Sequence, residues 1–120
     1  MEYRVPFNEL PCDIRHRLMD NRNAWLSNDE KPEGSEWTFF KGNLKYFYPI
    51  SPTRTQDNNE EDLINKYKTD CLELRCCITL IYWRSPGIFI DGNHHLKGFL
   101  EALDEDETIK PIIECWILED

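Results

Sequence analysis

Gly87-Ile88-Phe89-Ile90-Asp91-Gly92-Asn93-His94-His95-Leu96-Lys97-Gly98-Phe99 is the stretch on which the fold turns. Ile88-Phe89-Ile90 is a short apolar run of the kind that forms a buried strand. Asp91-Gly92 breaks it, and a helix follows at once, from Gly92 or Asn93 to about Leu103. Leu96, Phe99, Leu100 and Leu103 fall at i, i+3, i+4 and i+7 and form its inward face. A strand that turns directly into a helix presents backbone N–H groups at the helix start, where the dipole also favours an anion. Gly92 lacks a Cβ, so a ligand can approach the backbone there. His94, His95 and Lys97 add polar side chains, and Asp91 can hold a metal-bound phosphate or orient a histidine. Asp91, Gly92, Asn93, His94, His95 and Lys97 are therefore the candidate phosphate or nucleotide site. A plain turn, with Asn93 as helix cap and both histidines on the surface, is the competing reading of the same spacing.

The flanking sequence supplies the rest of an α+β fold. Cys76 to Trp83 is almost wholly apolar and reads as a central strand, and Arg84-Ser85-Pro86-Gly87 as the turn that leads on to Ile88. Ile109 to Leu118 reads as the closing strand. Tyr3 to Phe7 predicts an opening strand, and Pro11 to Met19 a helix with Ile14 and Leu18 as its apolar pair. Asn21 to Ser35 is polar and predicts a loop. Trp37 to Tyr48, interrupted by Lys41-Gly42-Asn43, predicts a hairpin turning at Gly-Asn. Pro49 to Asn59 has the composition of a mobile loop. Asn59 is placed to cap a helix from Glu60 to about Cys71, with Leu63, Ile64 and Tyr67 as its stripe. The expectation is one small domain over residues 1–120, a mixed sheet packed by two or three helices.

Charge and cysteine usage narrow the partners. Fourteen Lys and Arg against 23 Asp and Glu give a net charge of −9. The second half, residues 61–120, holds 6 basic and 13 acidic residues, a net of −7. Nucleic-acid binding rests on neutralising phosphates, so direct binding to DNA or RNA is not expected. No apolar run approaches the roughly 18–20 residues of a membrane helix, and Met1-Glu2-Tyr3-Arg4 does not open a signal peptide. The five cysteines, Cys12, Cys71, Cys76, Cys77 and Cys115, are odd in number and contain no Cys-x-x-Cys pair. They read as reduced, structural thiols of a cytoplasmic protein, with no metal site. Arg15-His16-Arg17 with Arg22 is the one basic cluster, read as helix surface charge. The aromatic residues from Trp25 to Tyr48 are read as core.

The strand–Asp-Gly-Asn-His-His-Leu–helix element resembles the strand–Asp-Gly-x-His-Arg-Leu–helix element of the ParB/sulfiredoxin superfamily. The opening Val5 to Pro11, the helix at Glu60 to Cys71, the strand pair and the final strand resemble that family's element order. The resemblance implies a ParB/sulfiredoxin-like fold and a nucleotide, CTP or ATP with Mg, at Asp91 to Lys97. Two departures bear on activity. Sulfiredoxins carry a catalytic cysteine where this chain has Asn93, so their thiol chemistry is not implied. Nucleotide-binding members carry an arginine where this chain has His95, which lacks a permanent charge. Nor does the sequence hold the DNA-reading helix-turn-helix of partitioning proteins.

Two functions follow as expectations. The first is a small acidic protein-binding module, a bacterial immunity-type inhibitor that neutralises a basic toxin nuclease and needs no cofactor and no catalytic residues. Its steering surface would be Asp104, Glu105, Asp106 and Glu107, with Glu101 and Asp70, because side chains in that acidic loop have only Lys97 and Lys110 nearby in sequence. The second is a ParB-like nucleotide-binding enzyme or switch that uses Asp91 to Lys97.

Overall fold

The computed structural model describes residues 3–46, 60–75, 78–84 and 87–119. Five strands build one mixed sheet: β1 (Tyr3–Pro6), β2 (Glu36–Asn43), β3 (Ile78–Trp83), β4 (Ile88–Asp91) and β5 (Ile112–Leu118), in the order β1-β2-β5-β3-β4. Three helices accompany it, α1 (Cys12–Asp20), α2 (Glu60–Leu74) and α3 (Asn93–Glu105). The β3–β5 pairing is parallel and every other pairing antiparallel. This is the expected α+β class, with the strands read up to Trp83, at Ile88–Ile90 and at the end of the chain in one sheet and the helix that follows Gly92 packed on it.

Period-two alternation in the central strands explains the layering. In β3, Ile78 and Leu80 join a cluster with Leu96, Phe99 and Ala102 of α3 and Cys71 of α2. Ile81, the next residue, joins the opposite cluster with Ile14 and Leu18 of α1, Trp37 and Trp116. β5 divides the same way, Ile113, Cys115 and Ile117 to one side and Trp116 and Leu118 to the other. A strand covered on both faces must be apolar at nearly every position, which is why residues 112–118 show a continuous apolar run broken only by Glu114. α1 thus covers one face, and the α2–α3 pair covers the other. No helix among the described residues is long and apolar enough to cross a membrane.

Three expectations are corrected. Gly42-Asn43 does not turn a hairpin: β2 runs straight through it, with Gly42 opposite Ile113 and Asn43 opposite Ile112. The glycine makes room for an aromatic ring instead, since a Cβ there would lie 3.2 Å from Phe40 Cζ. The polar segment after α1 is not a bare loop. It forms two short 3₁₀ turns, Arg22–Ala24 and Pro32–Gly34, and delivers Trp25 into the core. There Trp25 donates its indole N–H to Leu18 O at 3.0 Å and meets Trp37 edge-on. The final strand starts at Ile112 rather than Ile109, although Ile109 is buried beneath α3. The mobile loop expected at Pro49 to Asn59, the Asn59 cap and the Cys76-Cys77 pair lie outside the described residues.

Candidate functional site

A one-residue register shift aims the centre of the site. β4 pairs with β3 as Trp83 with Ile88 and Tyr82 with Phe89, but then Ile81 with Asp91, so Ile90 is the extra residue of a bulge. Bulges re-aim side chains. Asp91 consequently sits opposite Ile81, on the α1 face, rather than opposite Leu80 on the α3 face. There its Oδ2 accepts a 2.7 Å hydrogen bond from Arg17 Nε of α1. Its Oδ1 accepts one from Gly92 N at 2.9 Å, and Arg17 Nη2 donates to Thr79 O at 3.0 Å.

Gly92 then turns the chain with φ +98°, in the left-handed region open to glycine, and α3 begins at Asn93 without a side-chain cap. Gly92 O accepts the first helical bond, from Leu96 N at 2.8 Å. Asn93 is therefore a buried first-turn residue, not the cap. A cleft of about 410 Å³ opens at this junction, lined by residues 89–95, by Arg17 and Asn21, and by Tyr67 of α2. The structure thus brings five of the six sequence-predicted residues, Asp91, Gly92, Asn93, His94 and His95, to one cleft. Lys97 is not among its lining residues.

The charged and polar groups of the cleft are the Arg17 guanidinium, the Asp91 carboxylate paired to it and two imidazoles. His95 stacks on Tyr67 at 4.6 Å between ring centroids and 25° between planes. Burial lowers its pKa, and Arg17 lowers it further against the opposing pull of Asp70 and Asp91. Burial and Arg17 thus both favour its neutral form. The permanent cation in the cleft is Arg17, paired with Asp91. Sequence reasoning singled out the Arg15-His16-Arg17 cluster but read it as helix surface charge, and nothing in the spacing joins it to Asp91.

The acidic candidates split into two groups. Asp104 and Glu105 close the last turn of α3, and Asp106 is its C-terminal flanking residue. Glu105 is ion-paired to Lys68 of α2 at 2.7 Å. Asp106 is paired to Arg75, and its Oδ1 accepts the Thr108 N–H at 3.0 Å and the Thr108 hydroxyl at 2.6 Å. These Thr108 bonds, with the charge of Arg75 behind them, lower the Asp106 pKa. Lys97 and Lys110 are the cations nearest this run in sequence; in space, Lys68 of α2 and Arg75, just beyond its end, pair with Glu105 and Asp106. Glu101, Asp104 and Glu107 remain exposed, and Asp70 is half-buried.

Cys71 and Cys115 are buried thiols and Cys12 an exposed one, and burial pushes the Cys115 thiol far up. Among the described residues no group of three or more His, Cys, Asp or Glu is placed to hold a metal. No family model matches the chain, and neither a curated protein nor a solved structure is significantly similar to it.

Proposed function

We propose that this chain is a ParB/sulfiredoxin-like binding domain whose cleft at the β4–α3 junction takes a phosphate-bearing ligand, a nucleotide such as CTP or ATP. The observation that carries this reading is the convergence of Arg17, His94, His95 and the uncapped first turn of α3 on one cleft of about 410 Å³. That size suits a small-molecule ligand. A guanidinium and a helix start are both donors suited to phosphate oxygens. Tyr67, stacked with His95, and Phe89 add aromatic surface on which a base can rest. With Asn93 at the position of the sulfiredoxin cysteine, the reading is of binding or switching rather than thiol redox chemistry.

Calorimetry with CTP and ATP on the wild type and on His94→Ala tests it. Micromolar binding that the substitution weakens or abolishes is the expected result. No binding by the wild type, or equal binding by the variant, overturns the reading.

The acidic capture of a basic toxin in the cytoplasm stays as a second reading. It is favoured by the exposure of Glu101, Asp104 and Glu107 in a chain of net charge −9. It loses support from Glu105 and Asp106, whose charges are answered within the fold.

A further inference from the structure

We infer that Arg17 is the anchor for the ligand's anionic group and that Asp91 is its positioning partner, so that the phosphate is held without a divalent metal. The inference rests on the reading of the cleft as a phosphate site and names the groups that do the holding. It departs from the role that Asp91's sequence position suggests, that of a carboxylate presented to a metal-bound phosphate.

Both Asp91 oxygens are occupied. Oδ2 takes the Arg17 Nε–H at 2.7 Å and Oδ1 the Gly92 N–H at 2.9 Å. A cation placed on this carboxylate would share an oxygen with the Gly92 amide or stand beside the Arg17 guanidinium, which repels it. Arg17, by contrast, is held but not exhausted. Nε is committed to Asp91 and Nη2 to Thr79 O, two contacts that fix the plane of the guanidinium. Among the described residues no other hydrogen bond is made by this guanidinium, which leaves Nη1 for a ligand in the cleft that Arg17 lines. The side chain is 29% exposed, enough to be reached and little enough to be shielded from bulk water. A fixed, partly desolvated arginine with donors to spare is a stronger phosphate ligand than a solvated one. It also supplies a permanent cation, which His95, whose neutral form burial favours, does not.

Titrations of ATP, CTP and inorganic tripolyphosphate, each in EDTA and in excess Mg2+, test the assignment on the wild type, Arg17→Gln, Arg17→Lys and Asp91→Asn. Thermal unfolding of each variant establishes that it is folded. Wild-type binding should be no weaker in EDTA than in Mg2+. Arg17→Gln should weaken it by about tenfold or more, the worth of a charge-assisted hydrogen bond. Arg17→Lys, which keeps the ion pair but loses the planar fork, should fall between the two and carries the test should the Gln variant not fold. Asp91→Asn should still bind in EDTA. Tripolyphosphate should follow the same order as the nucleotides, because the anchor reads phosphate and not base. Binding that requires Mg2+, is lost in Asp91→Asn and survives in Arg17→Gln, or an Arg17→Lys affinity equal to the wild type, would overturn the inference while leaving the cleft a phosphate site. Failure of the wild type to bind any of the three probes in either buffer would overturn both.

Discussion

Arg17 Nε donates to Asp91 Oδ2 at 2.7 Å across 74 positions of sequence, and this one bond ties α1 to the junction between β4 and α3. In a regular strand Asp91 would pair with Leu80 and share its face. The bulge at Ile90 brings Asp91 to the α1 face, and α1 carries Arg17 one turn after Ile14 and beside Leu18, which anchor that helix in the core. Position and charge therefore arise together: the same pair that closes the sheet edge forms one wall of the cleft.

Gly92 is required on two counts. Its φ of +98° strains any L side chain, and a Cβ there would lie 2.8 Å from Leu80 Cδ2 and 3.4 Å from the Leu80 Cα. Gly92→Ala should destabilise the fold by about 1–3 kcal/mol. Urea unfolding measures it, and an unchanged midpoint would show that the junction relaxes without cost.

Gly98 sits inside α3, where replacing glycine by alanine ordinarily stabilises an exposed helix by about 1 kcal/mol. Here the sign should reverse. The new Cβ would meet Lys68 N at 2.7 Å, Tyr67 Cβ at 2.8 Å and Ile64 O at 2.9 Å, all of them on α2 and two of them backbone. The helices would have to part, and the Tyr67–His95 stack with them. Gly98→Ala should lower the unfolding midpoint, and a raised midpoint would refute the close helix approach.

Those two glycines mark how far the sequence could be read. Asp91-Gly92 was legible as a break between strand and helix because its chemistry is local: no Cβ, a short acid, apolar runs on both sides. Leu96 and Phe99 were legible from periodicity. Gly42-Asn43 misled for the same reason. Turn chemistry is a local signal, and the pairing of β2 with a distant β5 outweighed it. The role of Arg17 and the bulge at Ile90 were invisible because both depend on contacts between segments far apart in the chain. The pairing of Glu105 and Asp106 was not legible because their cations, Lys68 of α2 and Arg75 just beyond it, lie far away in sequence.

His95 should make stability depend on pH. Its pKa is lowered in the folded protein from the ordinary 6.5, first by burial and then by Arg17, so the unfolded chain binds the proton more readily. Its contribution to stability is therefore full above pH 6.5 and is lost as pH falls from 6.5 towards the folded value. Urea midpoints of the wild type should decline from pH 7 to pH 5 more steeply than those of His95→Gln. Parallel declines would mean that His95 titrates alike in both states.

Thiol reactivity should sort by burial. Cys12 is exposed at the start of α1, whereas Cys71 and Cys115 are buried at 3% and 0% exposure, and burial disfavours the Cys115 thiolate. A brief pulse of iodoacetamide followed by peptide mapping should modify Cys12, and should reach Cys71 and Cys115 only in denaturant. Modification of Cys115 at the rate of Cys12 would contradict the packing of β5.

The acidic segment should divide under mutation into a structural part and a surface part. Asp106 joins the end of α2, through Arg75, to the turn that leads into β5, through both bonds from Thr108. Asp106→Ala should lower stability at pH 7. Because its pKa is lowered from 3.8, that contribution is present above 3.8 and disappears as pH falls through the folded value, so variant and wild type should converge in acid. Glu101→Gln, Asp104→Asn and Glu107→Gln together should leave the urea midpoint near that of the wild type, since exposed charges away from special contacts change stability little. If the chain also captures a basic protein, that triple variant, and not Asp106→Ala, should slow association and flatten its salt dependence, because steering acts through exposed charge and is screened by salt. An Asp106→Ala protein as stable as the wild type at pH 7 would return Asp106 to the surface set and restore the undivided acidic patch.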